Sequence, residues 1–269
     1  MNARTADHST LRHRVEAARR DKDLLLMTHI VIGYPSFDAS MRMIEAMVEN
    51  GVDLMELQIP FSEPIADGPV ILRANQTALD NGSSVDQCFD FAERVTQRFD
   101  IPFLFMSYYN VPFRMGTETF MQRTREAGLL GAIIPDLPPE EAAECLQHMA
   151  LNDIAPVFIF SPNTPVERMR MLADQGRGFV YCVARKGVTG ATTQFSEDLG
   201  AYLGRCRNAT DMPLALGFGV QDRADIDFLR GRVDIAVVGT QSIRVFDEQG
   251  AEGVGRFIAE LTAPAESAA

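Results

Sequence analysis

The sequence has few of the residues that build metal sites or disulfide frameworks. Its four cysteines and four histidines show no CxxC, HxxH or HExxH spacing, which argues against a structural zinc site. The same sparse cysteine usage is typical of a reduced, cytosolic compartment, where thiols persist. We interpret Cys88, Cys145, Cys182 and Cys206 as small buried hydrophobic residues.

Clustered positive charge and long apolar runs are also missing. Lys and Arg number 25 against 37 Asp and Glu, a net charge of −12, whereas proteins that bind nucleic acid need clustered basic residues. The first 23 residues alternate in charge and contain no apolar run, so no signal peptide is predicted. No apolar stretch approaches the roughly 18 residues that a membrane helix requires. We expect neither a nucleic-acid partner nor a membrane partner.

The rest of the composition is that of a folded globular protein. Hydrophobic residues make up 46% of the 269 residues and charged residues 23%, enough to bury a large core without a disulfide or a metal. No low-complexity segment or linker divides the chain. We predict a single domain over residues 1–269, with an N-terminal helix region at 1–22 and a flexible tail at 262–269.

Short apolar runs alternate with amphipathic stretches along the chain. Such runs are typical of parallel strands that are covered on both faces, and their starts are spaced by about 30 residues, the size of one strand–helix unit. The predicted strands are 24–32, 54–59, 102–106, 131–134, 155–160, 178–183, 214–217 and 235–238. The predicted helices are 40–50, 118–127, 139–152, 165–175 and 223–229.

This alternation predicts an α/β fold, a (β/α)8 TIM barrel with an N-terminal helix and extra short helices. A doubly wound open sheet is the alternative fold. That fold normally has a glycine-rich turn after its first strand, and the segment Ile32-Gly33-Tyr34-Pro35 is not one. In a barrel the active site lies at the C-terminal ends of the strands, and phosphate commonly sits on the loops after strands seven and eight.

Three glycine-flanked loops follow the last three predicted strands. They are 186–191, Gly217-Phe218-Gly219 and Gly239-Thr240-Gln241-Ser242. Glycine lets backbone N–H groups approach an anion closely, and a following helix N-terminus adds a favourable dipole. One such loop alone is usually turn geometry, but three on adjacent strands favour a phosphate site.

Glu56 lies within an otherwise apolar strand. Strict alternation puts its side chain on the same face as Leu54 and Gln58. Outward-facing residues of a barrel pack beneath helices, so we place this polar set in the lumen. Burial disfavours the ionised form of a carboxyl group, which suits such a group to acid–base catalysis. A structural glutamate paired with a buried Arg or Lys is the alternative.

Two aspartates follow strands at the same end of the predicted barrel. Asp67 lies in the proline-rich loop 60–69, and Asp136 follows strand four. Either residue could be a turn or N-cap residue, because aspartate favours both positions. Either could equally belong to the active site.

Together these stretches resemble the alpha subunit family of tryptophan synthase, from about residue 24 to residue 261. The family signature E-L-G-[IV]-P-F-S-D-P-x-A-D-G-P stands here as Glu56-Leu-Gln-Ile-Pro-Phe-Ser-Glu-Pro-Ile-Ala-Asp67-Gly-Pro. Further matches are Met106-Ser-Tyr-Tyr-Asn110, Ile134-Pro-Asp-Leu-Pro-Pro139, Gly187-Val-Thr-Gly-Ala191, Gly217-Phe-Gly219 and Val237-Val-Gly239.

The resemblance implies a lyase that cleaves indole-3-glycerol phosphate to indole and glyceraldehyde 3-phosphate, a retro-aldol step of tryptophan biosynthesis that needs no cofactor. It implies that Glu56 moves the protons and that Asp67 contacts the indole N–H. Asp136 matches a position on the subunit-contact side. The implied substrate-binding residues are Tyr108 at the indole pocket, Thr189 in a closing loop, and the backbone amides of Gly190, Gly219, Gly239 and Thr240 at the phosphate.

The resemblance also implies a partner. The expected assembly is an α2β2 complex with a beta subunit, which holds pyridoxal phosphate and receives the indole. Two alternatives stay open: a divergent lyase that works alone and releases an indole, and a catalytically silent phosphate-binding regulatory barrel.

Several positions depart from the family pattern. Gln58 replaces a glycine, Glu63 replaces an aspartate, and Thr240 replaces a serine. Tyr34 stands in a segment that is usually T-x-G-D-P, and His29 stands where an apolar or aromatic residue is usual. We interpret His29 as a hydrogen-bonded core residue and not as a catalytic one.

Overall fold

The computed structural model describes residues 10–183, 197–217 and 219–263. Within these residues, nine strand segments form one parallel sheet in the order β5-β4-β3-β2-β1-β9-β8-β7-β6. The strands are β1 (Leu25–Val31), β2 (Leu54–Gln58), β3 (Phe103–Met106), β4 (Gly131–Ile133), β5 (Ala155–Val157), β6 (Ile159–Phe160), β7 (Val180–Val183), β8 (Leu214–Gly217) and β9 (Ile235–Val238). The predicted TIM barrel is confirmed.

The fifth predicted strand, 155–160, is divided in two. The first half, β5, pairs with β4, and the second half, β6, pairs with β7. Phe158 lies between the halves, and its carbonyl accepts the N–H of Tyr181 at 3.0 Å. The chain therefore bends at this point, and its two halves join the two ends of the sheet into a nearly closed barrel.

Helices surround the barrel. They are α1 (Leu11–Ala18), α2 (Phe37–Glu49), α3 (Pro69–Asp80), α4 (Val85–Arg98), α5 (Asn110–Met115), α6 (Thr117–Glu126), α7 (Ala143–Leu151), α8 (Val166–Gln175), α9 (Glu197–Ala209), α10 (Arg223–Leu229) and α11 (Thr240–Thr262). The predicted helix 139–152 is a short 3-10 turn, Pro139–Glu141, followed by α7. Helix α4 was not predicted, although Ser84 and Gln87 form a capping box at its start.

The C-terminal boundary differs from the prediction. Thr262 belongs to α11, and its hydroxyl donates to the carbonyl of Asn50 at 3.0 Å. Helix α11 therefore runs into the segment that was expected to be a tail from residue 262, while residues 264–269 lie outside the described part of the chain. Among the described residues, no helix is both long and apolar enough to cross a bilayer.

Alternation along the strands separates two buried layers. Leu54 belongs to the cluster inside the barrel, whereas Met55 and Leu57 belong to the cluster between barrel and helices. Helix α1 closes the N-terminal end of the barrel, where its Leu11 packs over Gly178. A Cβ added to Gly178 would lie 2.6 Å from Leu11 Cδ2. Apolar residues thus fill the lower lumen, and the polar lumen residues lie toward the C-terminal ends of the strands.

Candidate active site

One cavity opens at the C-terminal end of the barrel. Its volume is about 850 Å³ including the open space at its mouth. Polar residues line one side, among them Glu56 and Asp67. The apolar wall consists of Ile71, Met106, Ile133, Ile159 and Val237, and the far side consists of the segments 219–221 and 239–241 together with Arg244.

Glu56 points into the lumen, as alternation predicted. It is 3% exposed and lines the cavity. The hydroxyl of Tyr181, on β7 across the barrel, donates to Glu56 Oε1 at 3.2 Å. Burial, and after it the charge of Glu56, raises the pKa of Tyr181 well above its usual value, so this hydroxyl stays protonated and donates. The structure does not give Glu56 the buried Arg or Lys partner considered above: its hydrogen-bond partners among the described residues are Tyr181 and His29.

Tyr181 reaches Glu56 because β8 ends in a glycine, two residues beyond Ala215, which lies opposite Tyr181 in the register. A Cβ on Gly217 would lie 2.3 Å from Tyr181 Cε1, far inside van der Waals contact. By its sequence pattern Gly217 is predicted to belong to a phosphate loop. In the structure Gly217 is the last residue of β8, and its missing side chain makes room for the Tyr181 ring.

His29 is a lumen residue of β1 and lines the cavity. It lies directly opposite Glu56 in the β1–β2 register, and its Nδ1 lies 2.9 Å from Glu56 Oε1. Burial alone lowers the pKa of His29, but the charge and hydrogen bond of Glu56, with smaller contributions from Asp67 and Gln58, outweigh burial and leave the pKa raised. The prediction of a hydrogen-bonded histidine is confirmed, but this histidine belongs to the cavity wall.

Asp67 approaches the same cavity from the loop between β2 and α3. It is 5% exposed, and its Oδ2 accepts a hydrogen bond from Gln58 Nε2 at 2.7 Å. Burial raises the pKa of Asp67, while the neighbouring charge of His29 and the hydrogen bond from Gln58 oppose this rise. The structure therefore brings both predicted carboxyl groups to one cavity.

The loop that carries Asp67 is held from two sides. The hydroxyl of Tyr108 accepts the backbone N–H of Ala66 at 3.0 Å, and the Tyr108 ring stacks on Phe61 with centroids 5.2 Å apart. Asn75 of α3 accepts the N–H of Phe61 at 2.9 Å. Tyr108 is buried and is not among the residues that line the cavity. Its contacts are those of a residue that supports the loop.

The far side of the cavity presents backbone and a helix start. Gly239 is the N-cap of α11, and Thr240 is the first residue of that helix, so the first N–H groups of α11 lack partners within the helix, as at helix starts that bind anions. Gly219, of the predicted phosphate loop, lines the same side. Arg244, in the second turn of α11, adds a positive charge there.

Other predicted positions fall outside the cavity or outside the described residues. Thr189 and Gly190 lie in the segment 184–196, which the structure does not describe. Asp136 is exposed, and its Oδ1 accepts the N–H of Tyr109 at the start of α5 at 2.8 Å. Glu63 is an exposed residue of the β2–α3 loop. Tyr34 donates its hydroxyl to Asp247 of α11 at 2.8 Å.

Three residues line the cavity although they were not predicted to belong to the site: Tyr181, Arg244 and His29. Tyr181 alternates with Phe179 and Val183 on the inner face of its strand, so the alternation that identified Glu56 could have identified it. Arg244 lies one helical turn after Thr240, so its place near the predicted phosphate loop could also have been predicted from the sequence. Nothing in the sequence indicated that His29 and Glu56 would stand opposite each other, because register depends on the folded sheet. Among the described residues, no group of three or more His, Cys, Asp or Glu side chains could hold a metal ion.

Comparisons with known proteins show the family of the chain. A family model described as "Tryptophan synthase alpha chain" matches residues 15–266. The tryptophan synthase alpha chain of Desulforapulum autotrophicum is 60% identical over 247 residues, which cover 92% of this chain and 98% of that protein.

Solved structures give the same result. A chain of Mycobacterium tuberculosis tryptophan synthase superposes with a TM-score of 0.88 at 31% identity, covering 94% of this chain and 96% of that one. A chain of the tryptophan synthase α2β2 complex from Pyrococcus furiosus superposes with a TM-score of 0.82 at 30% identity, covering 88% of this chain and 97% of that one.

Proposed function

The chain belongs to the tryptophan synthase alpha chain family, and from this premise we propose that Glu56 and Asp67 are its catalytic residues. Membership makes the chain a lyase of tryptophan synthesis that cleaves indole-3-glycerol phosphate to indole and glyceraldehyde 3-phosphate. The observation that carries the proposal is the meeting of both carboxyl groups in one cavity that also has an apolar wall and a helix N-terminus.

The cleavage needs two proton movements at neighbouring atoms. Indole leaves only after its C3 has gained a proton, and the hydroxyl next to the ring must lose a proton to become the aldehyde. One carboxyl group can do both: Glu56 in its acid form donates to C3, and the resulting carboxylate accepts the hydroxyl proton as the C–C bond breaks. Glu56 thereby returns to its starting state. Positioned acid–base groups of this kind contribute about 10²–10⁴-fold to rate.

Asp67 serves the indole ring in this proposal. As a carboxylate it accepts a hydrogen bond from the indole N–H and stabilises the positive charge that develops on the ring when C3 is protonated. Its burial opposes ionisation, but the hydrogen bond from Gln58 and the charge of His29 favour the carboxylate. These neighbours therefore support the role proposed for Asp67.

The remaining walls fit the two ends of the substrate. The apolar wall, which includes Ile71, Met106 and Ile133, suits a flat indole ring. The phosphate would lie on the backbone amides of Gly219, Gly239 and Thr240, near the positive end of the α11 dipole. Gly190 and Thr189 complete the proposed binding set from the segment that the structure does not describe.

The proposed partner is a tryptophan synthase beta subunit in an α2β2 complex. Solved relatives include chains from tryptophan synthase complexes. Among the described residues, the large hydrophobic side chains with high exposure are Ile65 at 72%, Leu72 at 49%, Phe113 at 65% and Leu151 at 71%. The first three follow β2 and β3 at the mouth of the barrel, where a partner that receives indole would dock.

The cleavage as proposed uses only proton transfers by this chain, so it needs no cofactor, and pyridoxal phosphate is assigned to the beta subunit. We also place the protein in the cytoplasm. The four cysteines are free thiols buried in the fold, a state that a reducing compartment maintains.

The test is the rate of indole formation from indole-3-glycerol phosphate, with and without a stoichiometric beta subunit from the same source. Glu56→Gln and Asp67→Asn should each lose at least about 10²-fold in kcat while the fold survives. Glu63→Gln, which removes an exposed carboxylate from the same loop, is the matched control and should keep its activity. Wild-type rates in Glu56→Gln or Asp67→Asn would contradict the assignment.

The same assay separates the alternatives. Fast turnover that the beta subunit does not increase would identify a lyase that works alone. Absence of turnover in both conditions would identify a silent phosphate-binding barrel.

The partner proposal has a separate test. Phe113→Ser should weaken binding of the beta subunit in titration calorimetry, because it removes an exposed apolar side chain from the proposed interface. Leu151→Ser, equally exposed but at the C-terminal end of α7, should bind as the wild type does. Equal affinities for the wild type and both variants would contradict this docking surface.

A further inference from the structure

Each of the two proposed catalytic carboxyl groups has a buried polar side chain as a hydrogen-bond partner. His29 Nδ1 lies 2.9 Å from Glu56 Oε1, and Gln58 Nε2 donates to Asp67 Oδ2 at 2.7 Å. Glu56 and Gln58 are successive inward residues of β2, and His29 and Val31 of β1 lie opposite them in register. All four polar side chains are at most 5% exposed.

The inner atoms of His29 and Gln58 have unused hydrogen-bonding capacity. His29 Nε2 and Gln58 Oε1 are buried and have no hydrogen-bond partner among the described residues. A carbonyl oxygen accepts and a protonated imidazole nitrogen donates, so the two atoms are complementary when His29 is protonated. In agreement, Gln58 contributes to the raised pKa of His29.

We propose that His29 and Gln58 are a coupled pair of positioning residues, in which His29 orients Glu56 and Gln58 orients Asp67 for the lyase reaction. This inference rests on the proposed function. It goes beyond that function because it assigns a role to two positions where the sequence departs from the family pattern. A histidine and a glutamine that only filled space would not both donate to the carboxyl groups of the site.

The geometry shows how the orientation works. Among the described residues, both hydrogen bonds to Glu56 end on Oε1, which leaves Oε2 for exchange of a proton with the substrate. His29 keeps its own Nδ1 proton throughout, so the reaction balances on Glu56 alone. In the same way, Gln58 donates to Oδ2 of Asp67, and the carboxylate keeps further acceptor capacity for the indole N–H.

Several charged or titratable groups face His29. Glu56 lies opposite on β2, Asp67 approaches from the following loop, and both act on the pKa of His29. Tyr181 reaches the same Glu56 oxygen from β7, and Arg244 of α11 lines the same cavity. On the other side of β1 the neighbour is Gly239, the residue after β9, which has no charge; a Cβ added to it would lie 3.2 Å from His29 Cβ.

The activity test uses two His29 variants. His29→Phe keeps a ring but removes the donor, and we expect kcat to fall about tenfold or more while KM changes less than about threefold. His29→Asn restores an N–H near the position of Nδ1 without a group that titrates. It should recover most of the lost kcat and should lack the part of the pH profile that belongs to His29.

The Gln58 half is tested by a double-mutant cycle. Gln58→Met keeps the length of the side chain and removes the amide, and we expect it to raise KM. The His29→Phe/Gln58→Met double variant should lose less than the product of the single losses, because coupled residues are not additive. Strictly multiplicative effects would show that the two residues act separately and would overturn the coupling.

A measurement without turnover keeps this inference distinct from the proposed function. The chain has four histidines, so the imidazole signals in an NMR titration of the full chain can be assigned by the signal lost in His29→Phe. The His29 titration midpoint should move to lower pH in Glu56→Gln.

The outcomes separate the two claims. An unchanged midpoint, or wild-type kcat and pH profile in His29→Phe, overturns the inference while leaving the roles of Glu56 and Asp67 intact. Equal losses in His29→Phe and His29→Asn also overturn it, because the donor would then not matter. Full activity of Glu56→Gln refutes the proposed function instead, whatever the midpoint does.

Discussion

The two ends of the active-site cavity are built in different ways. Around β1, β2 and β7, buried side chains hold one another by hydrogen bonds, with Glu56 at the centre. Around β8, β9 and α11, the wall is largely backbone, glycine and a helix start. Proton transfer needs a particular functional group, whereas an anion can be held by any well-placed N–H. We therefore expect side-chain identity to matter at the first end and backbone conformation at the second.

Gly217→Ala tests whether Gly217 belongs to the hydrogen-bonded end of the cavity or to the backbone end. Although Gly217 follows the phosphate-binding pattern in sequence, the absence of a side chain there accommodates Tyr181: an added Cβ would lie 2.3 Å from Tyr181 Cε1. Displacing that ring should destabilise the fold by about 1–3 kcal/mol and lower kcat about tenfold, with a smaller effect on KM. Thermal unfolding and steady-state kinetics measure both changes.

Gly204→Ala is the matched control for this glycine. Gly204 lies in α9, where a Cβ meets nothing within 4 Å, so alanine should stabilise the helix by about 0.5–1 kcal/mol. If Gly217→Ala lowered phosphate affinity and left kcat unchanged, Gly217 would belong to the anion side after all.

Tyr108→Phe tests the support behind the carboxylate end. The change removes the acceptor for the Ala66 N–H and should cost about 0.5–1.5 kcal/mol of unfolding free energy. KM should also rise, because the same loop carries Asp67. Tyr202→Phe is the control: its hydroxyl donates to the carbonyl of Phe160 at 2.8 Å in the outer layer. It should lose similar stability with unchanged kinetics, and equal kinetic effects in both variants would refute the loop-support role.

The pH dependence of stability should come from the carboxylate end. The pKa of His29 is raised above its ordinary value of 6.5, so the folded state binds this proton more tightly than the unfolded state. The stabilisation is fully present below about pH 6.5 and is lost as pH rises through the folded pKa. The Tm of His29→Phe minus the wild-type Tm should therefore increase from about pH 5.5 to about pH 8.5. In the unfolded state the pKa of His29 is taken as about 6.5. Calorimetry measures this difference in Tm. A difference that stays constant between about pH 5.5 and about pH 8.5 would contradict the raised pKa of His29.

Thr240→Ala should have the smallest effect. If the anion is held by the backbone N–H groups at the start of α11, loss of the hydroxyl should change KM less than about twofold. Steady-state kinetics across substrate concentrations would show it. A rise in KM of about tenfold or more would mean that the hydroxyl itself binds phosphate.

The sequence predicted the fold well because strand patterns are local. Strands buried on both faces are continuous apolar runs, and each predicted strand appears within two residues of its expected bounds, apart from the fifth, which bends at Phe158. Helices α3, α4, α5, α9 and α11 were not predicted. Apolar residues and glycine interrupt the surface patterns of α3 and α11, so tertiary packing rather than local periodicity decides these two.

The site was predictable only where one strand determines it. Alternation within β2 sufficed to place Glu56 in the lumen. The contacts of Glu56 with His29 and Tyr181 depend on the register between β1 and β2 and on the width of the barrel. Register and barrel width are properties of the closed sheet, so they cannot be predicted from the sequence of any single strand. Tyr108 shows the same limit, because its place behind the Asp67 loop depends on the β2–β3 neighbourhood.

The most direct test of the account is the single-turnover rate of indole release by Glu56→Gln with the beta subunit present. The variant should bind an indole phosphate that lacks the reactive hydroxyl as tightly as the wild type, since Glu56 acts on protons and not on the phosphate. Its cleavage rate should fall by about 10²–10⁴-fold. Cleavage within about twofold of the wild-type rate would show that another group moves the protons, and the central assignment would be wrong.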